Sequence, residues 1–246
     1  MIPILLLTAC ITPNSFDTLS ITDPSTREKQ YLEALNWYLH NTKYNIIFCD
    51  NSGYNISKYF ESYIQSNRLE VITFTDPPEL YDRGKGYKEM KIIEYIFKHS
   101  MFIRTTKNPI FIKITGRLIV RNINSIISII KIINKKNFIS CELSDKIDDT
   151  DSRFFIFSPS FYKTFITYKE DIQINFSFEK ALLYAIKEYK KCKSGHFIYL
   201  PYPARIKGYS GGFGVRYKDD LKNFIIKLIS FSIKRIRYII FNKYKL

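Results

Sequence analysis

The sequence predicts an α/β protein: a mainly parallel sheet flanked by helices. Three observations carry that expectation. Strand-length apolar runs alternate with segments of helical periodicity through the first half of the chain. The runs are apolar at nearly every position, as strands covered on both faces are. Polar turn signals close most of them.

The elements follow in order. Ile4 to Ala9 is the first strand. Asp23 caps and Pro24 opens the first helix, with Ser25 and Glu28 spaced as a capping box. Tyr31, Leu32, Leu35, Tyr38 and Leu39 then recur at helical spacing. "YNIIFCDNSG" is a second strand ending in a polar turn, followed by a helix near Ile56 to Ser66. "LEVITFT" is a third strand, stopped by Asp76-Pro77-Pro78. "GKGYKEMKIIEYIFKHS" is a Gly-rich turn into a helix, and "NPIFIKITGR" a fourth strand running into a Gly turn. "NINSIISIIKIINKK" is a helix and "NFISCEL" a fifth strand. After Ser144 the pattern changes: "SDKIDDTDSR" reads as a polar loop, "FFIFSPSFY" as an apolar aromatic stretch and "FSFEKALLYAIKEYKK" as a helix. "YLPYPARIKGYSGGFGVRY" is a loop too long for a plain connector, and loops of that sort often carry function. The tail from Asp219 is helical and basic.

Composition bounds the function. The 246 residues are 46% hydrophobic, enough for a sizeable core, and the net charge of +15 calls for an anionic partner. Ile, Lys, Asn, Tyr and Phe crowd the sequence and Lys far outnumbers Arg, the pattern of an AT-rich genome, so the placement of charge says more than its amount. The basic residues form no aromatic-interleaved stripe, and nucleic acid is not an expected partner. Cys10, Cys49, Cys141 and Cys192 lie far apart with no metal-ligand spacing, which fits a reduced, cytoplasmic chain. Leu7-Thr8-Ala9-Cys10 matches a lipobox, but no Lys or Arg precedes Arg27 and the apolar run is short, so the strand reading is preferred.

In an open parallel sheet, ligands bind beyond the carboxyl ends of the strands. Thr8, Ala9 and Cys10 follow the first strand, and Asp50, Asn51 and Ser52 the second, as candidates to hold a nucleotide. Gly84, Lys85 and Gly86 allow close backbone approach to an anion at a helix N-terminus, with Glu89 on the same helix. Lys113, Thr115, Gly116 and Arg117 carry the most weight. A lysine in an apolar strand needs a partner, and an anion shared with Arg117 would supply one. Arg205, Lys207, Ser210, Gly211 and Gly212 could close over phosphates as a lid.

The order of elements, with "CITPN", "REKQY", "IIFCDNSG", "GKGYKE" and "KITGR", resembles bacterial glycosyltransferases of surface-polysaccharide clusters, which have a GT-A-like fold. The resemblance implies a nucleotide-sugar donor bound by residues 1–143 and a lipid-linked glycan acceptor bound by residues 144–218, within one catalytic domain 1–218. Many of those enzymes place Asp-x-Asp after the fourth strand to hold a divalent metal; this chain has Lys113-Ile-Thr-Gly-Arg117 there. The first expectation is therefore that no metal cofactor is required and that the basic side chains neutralise the leaving diphosphate. The alternative is that Asp149 and Asp151 hold Mn2+ or Mg2+. Glu179, then Asp151, are the candidates for the catalytic base. Another nucleotide-dependent transferase, such as a nucleotidyltransferase, and a non-catalytic nucleic-acid-binding protein are the rival readings.

Residues 219–246 form the second unit. Leu221, Ile225, Leu228, Ile229, Ile236 and Ile239 fall on one helical face, and Lys227, Lys234, Arg235 and Arg237 on the other. This basic amphipathic helix suits an anionic inner-membrane surface, which places the protein at the cytoplasmic face.

Overall fold

The structure is a computed structural model. It describes residues 1–13, 19–77, 82–143, 150–211, 214–217 and 219–241, with residues 237–241 described for backbone only. The elements are β1 (Ile2–Ala9), α1 (Pro24–Asn41), β2 (Asn45–Asp50), α2 (Glu61–Gln65), β3 (Leu69–Thr73), α3 (Lys85–His99), α4 (Met101–Thr105), β4 (Pro109–Thr115) and β5 (Ile119–Val120). They continue with α5 (Ile123–Ile133), β6 (Phe138–Leu143), β7 (Thr150–Phe157), α6 (Pro159–Phe165), α7 (Phe178–Lys191), β8 (His196–Tyr199), β9 (Ile206–Lys207) and α8 (Leu221–Phe241).

Seven strands form one sheet in the order β3-β2-β1-β4-β7-β6-β8. β7 runs antiparallel to both its neighbours, and every other pairing is parallel. The mainly parallel α/β sheet read from the sequence is therefore the architecture of the protein. Alternate residues of β1 serve different layers: Leu5 and Leu7 pack with α1 and α5 on one face, Ile4 and Leu6 with α3 and α7 on the other. That two-sided burial is why the strands read as unbroken apolar runs.

The chain progresses from β1 to β2 to β3 in one direction, then β4 returns to the opposite side of β1. The strand order thus reverses between β1 and β4, and such a switch point leaves a crevice at the carboxyl ends of the two strands. Gly116 fixes that edge. Its N–H donates to the Thr8 carbonyl at 2.9 Å, and a Cβ there would lie 2.7 Å from the same oxygen.

Local differences from the sequence expectation have identifiable causes. Asp23 alone caps α1, accepting from the Thr26 N–H at 2.8 Å, while Glu28 accepts instead from the Tyr54 hydroxyl at 2.7 Å. The helix expected near Ile56 to Ser66 is a 3₁₀ turn at Ser57–Tyr59 followed by the short α2. Thr150 to Arg153, expected in a loop, begin β7. The long loop after β8 is tied down: β9 pairs with β5, and the Tyr209–Arg216 bridge closes a turn with Gly214 at φ +65°.

Candidate active site

A cleft of about 450 Å³ opens at the switch point. Thr8, Ala9 and Cys10 from the end of β1 and Thr115 and Arg117 from the end of β4 form its floor. Because β7 is antiparallel, its start lies at this same edge and adds Ser152 and Arg153. Two helices aim their N-termini here, α3 with Gly84, Lys85 and Gly86 and α7 with Ser177, Phe178 and Glu179. Gly86 makes that convergence possible: a Cβ on it would sit 3.0 Å from the Cβ of Phe178 and 3.1 Å from its backbone nitrogen. Two positive dipole ends therefore face one space, that of α3 without a side-chain cap and that of α7 capped by Ser177, an arrangement that favours an anion.

Arg117 lines the cleft together with five other cationic residues, Arg27, Arg83, Lys85, Lys88 and Arg153. Its residue is 8% exposed, and its Nε and Nη1 have no hydrogen-bond partner among the described residues. A buried guanidinium without a partner is unfavourable, and an anion in the cleft would relieve it. Gly211 closes over it, since a Cβ there would fall within van der Waals overlap of Arg117 Nη2. Ser210 also lines the cleft, and the Gly211 carbonyl accepts from the Ser20 N–H at 3.1 Å. Gly212 lies outside the described residues.

Lys113 is placed differently from the sequence expectation. It does not reach the cleft surface, because it is fully buried and its ammonium is already engaged. Nζ lies 2.6 Å from Glu89 Oε1 and donates to the Ser152 carbonyl at 2.6 Å and to Thr115 Oγ1 at 3.4 Å. Glu89 lines the cleft, and its Oε1 also accepts from Thr8 Oγ1 at 2.9 Å. The lysine therefore acts on the cleft through Glu89, whose carboxylate it anchors.

Asp50 likewise sits behind the wall. Its Oδ2 accepts from the Ile11 N–H at 2.8 Å, and its Oδ1 accepts from the Ser52 N–H, the Ser52 hydroxyl and the Tyr54 N–H. Burial pushes the Asp50 carboxyl up, and those hydrogen bonds oppose the shift. Its work is to lock the loop after β1 to the loop after β2, with Ser52 Oγ accepting from the Thr12 N–H. Asn51 is the neighbour that faces the cleft: it is 3% exposed, and its Oδ1 has no partner among the described residues.

Glu179 lines the cleft from the first turn of α7 and accepts a 2.6 Å hydrogen bond from the Ser152 hydroxyl. Asp151 does not line it. Both its oxygens are engaged by Arg153, with Oδ1 to Nε at 2.8 Å and Oδ2 to Nη2 at 2.5 Å. Burial works to raise the Asp151 carboxyl, but Arg153 outweighs it and holds the group below the usual carboxylate range. It is thus a weak base whose two oxygens both already accept from Arg153. Asp149, the other metal candidate, lies outside the described residues. Among the described residues no three His, Cys, Asp or Glu side chains cluster as metal ligands. Arg205 points away from the cleft, its Nη2 donating to the Asp219 carbonyl and its guanidinium lying over the Phe224 ring.

Sequence reasoning missed Ser152 and Arg153. The period-2 alternation of Thr150 and Ser152 with Asp151 and Arg153 is the signal that would have extended β7 to include them.

Cys10 lines the cleft, and its thiol is pushed up to about 11 by burial, against the influence of Arg27. Burial also raises Cys49 and Cys141, whereas Cys192 is exposed. At pH 8 the native protein should therefore show one fast thiol toward Ellman's reagent, at Cys192. Cys10 should react only as the pH rises toward about 11. Rapid labelling of Cys10 at pH 8 would contradict the assigned environment.

No protein-family model matches the chain, and no curated protein matches it. Solved structures similar to it include the glycosyltransferase GlyE of Streptococcus pneumoniae TIGR4, at 10% identity over 79% of this chain and 44% of that one, with TM-score 0.46. The chain thus spans less than half the length of GlyE. A second is a glycosyltransferase involved in glycosylation of the major capsid of PBCV-1, at 11% identity, 80% and 81% coverage and TM-score 0.46. A third is a cytidylyltransferase from Leptospira borgpetersenii, at 12% identity, 98% and 97% coverage and TM-score 0.45.

Proposed function

We propose that the protein is a glycosyltransferase that moves a sugar from a nucleotide-sugar donor to a glycan acceptor, in bacterial surface-polysaccharide synthesis. The observation that carries this reading is Arg117, a buried guanidinium whose Nε and Nη1 have no partner among the described residues, facing a cleft at the switch point of a mainly parallel sheet. A diphosphate would give it a forked partner, and the N-termini of α3 and α7 would share the negative charge. The charge that grows on the leaving nucleoside diphosphate is stabilised by the same groups, so the chemistry proceeds without a metal ion. Asn51 offers an unpaired amide oxygen to the nucleoside.

Glu179 is the proposed base. The Ser152 hydroxyl orients its carboxylate toward an acceptor hydroxyl entering from the α7 side. Glu179→Gln is expected to lower kcat at least 100-fold, within the range for a general base, while donor affinity survives. Turnover retained in that variant would remove Glu179 from the role.

The test of the reading is a thermal-shift screen with UDP, GDP, CMP and their sugars, with and without Mn2+, followed by turnover assays in excess chelator. A ligand that binds the native state raises Tm. Total loss of activity in chelator, restored by Mn2+, would overturn the metal-free version. A response to nucleoside triphosphates with none to nucleotide sugars would favour a nucleotidyltransferase.

A further inference from the structure

The sequence leaves open which way α8 faces, and the structure decides it. Its inner side is fixed by Phe231, 2% exposed, whose ring packs on Tyr199 with centroids 5.0 Å apart. Lys227, expected on the basic face opposite the apolar one, points at the protein body: Nζ donates to the Ala204 carbonyl at 3.2 Å and lies 3.6 Å from Glu142. Lys234 is half-buried and also acts on Glu142. The outward side carries Ile225, Ile226, Ile229, Ile233 and Ile236, each about half exposed or more. At 3.6 residues per turn, they form one continuous apolar stripe along the helix. Lys222 is exposed on the same face one turn before the stripe, and Arg235 is exposed to one side of it, its Nη1 donating to the Pro201 carbonyl at 3.4 Å.

We propose that this stripe docks on an anionic lipid surface. A soluble protein rarely leaves so long an apolar stripe uncovered, so something covers it. Charge selects the occupant. The chain carries +15, so pairing the stripe with a second copy would bring two strongly like-charged bodies together, whereas anionic headgroups attract both the body and the exposed Lys222 and Arg235. Among the described residues no helix is long and apolar enough to cross a membrane, so α8 would lie along the interface. The segment that supplies Tyr209, Ser210, Gly211 and Tyr217 to the cleft leads directly into α8. Docking would therefore hold the cleft near the lipid headgroups. Docking does not depend on the transferase reading; only the corollary that the acceptor is lipid-borne does.

Sedimentation of the full chain with phosphatidylcholine vesicles, and with vesicles containing phosphatidylglycerol, tests the proposal. Binding is expected on the anionic vesicles, at least 10-fold weaker on the neutral ones. Ile229→Ser/Ile233→Ser should reduce it a further 10-fold or more without lowering Tm, because both side chains face outward. Equal binding to both lipids, no binding to either, or a double variant that binds normally would each overturn it. So would a concentration-dependent dimer in analytical ultracentrifugation that the double variant abolishes. Nucleotide-induced Tm shifts, measured on the same variant, report on the cleft separately.

Discussion

Arg117→Met is expected to lower kcat/KM by about two to four orders of magnitude and leave the protein no less stable. The two effects have one cause. Arg117 is buried and has no hydrogen-bond partner for its Nε or Nη1 among the described residues. In the free protein, Nε and Nη1 bear a desolvation cost that no hydrogen bond from a described residue offsets, so an apolar side chain of similar length removes a penalty. In the donor complex, the same guanidinium would make two charge-assisted hydrogen bonds, worth roughly 1.5–3 kcal/mol each. Losing a pair of that strength, about 3–6 kcal/mol together, corresponds to about a 100- to 10,000-fold drop. Arg117→Lys should recover part of it, since an ammonium keeps the charge but cannot fork onto two oxygens. Steady-state kinetics and urea denaturation of the three proteins check both halves. A Met variant that is markedly destabilised would make Arg117 a structural residue, and one with unchanged kcat/KM would remove it from the donor site.

The sequence disclosed the strands because they are buried on two faces and read as apolar runs, and it disclosed the cleft because polar residues follow those runs. Thr8, Asn51, Gly84 and Arg117 were legible for that reason. What it concealed depends on partners far away in the chain. Nothing near Asp50 announces that its carboxylate is consumed by the backbone of Ile11, and nothing near Lys113 names Glu89. The direction of β7 was equally hidden. An apolar strand has no intrinsic sign of whether it runs parallel or antiparallel, yet that direction delivers Ser152 and Arg153 to the cleft. On α8 the helical period separated two faces, but only the packing of Phe231 on Tyr199 decides which is inside.

The ion pair between Lys113 and Glu89 should show an unequal double-mutant cycle. The partners differ in exposure: the Lys113 side chain is fully buried, whereas that of Glu89 is 21% exposed. Removing one partner strands the other, and the cost depends on where the stranded charge sits. Glu89→Met leaves an ammonium in the core, held by the Ser152 carbonyl and Thr115 hydroxyl but without a counter-charge. That variant is expected to lose about 3–5 kcal/mol, a fall in Tm on the order of 10 °C. Lys113→Met leaves a carboxylate that water in the cleft reaches, and its loss should be clearly smaller. The double variant Glu89→Met/Lys113→Met places two apolar side chains together and should recover much of the stability, so the single effects do not add. Urea unfolding at pH 7 measures all four corners. If Lys113→Met proves the more damaging single change, the lysine is not primarily a counter-ion for Glu89. A double variant as unstable as the sum of the singles would mean that the two charges are not coupled.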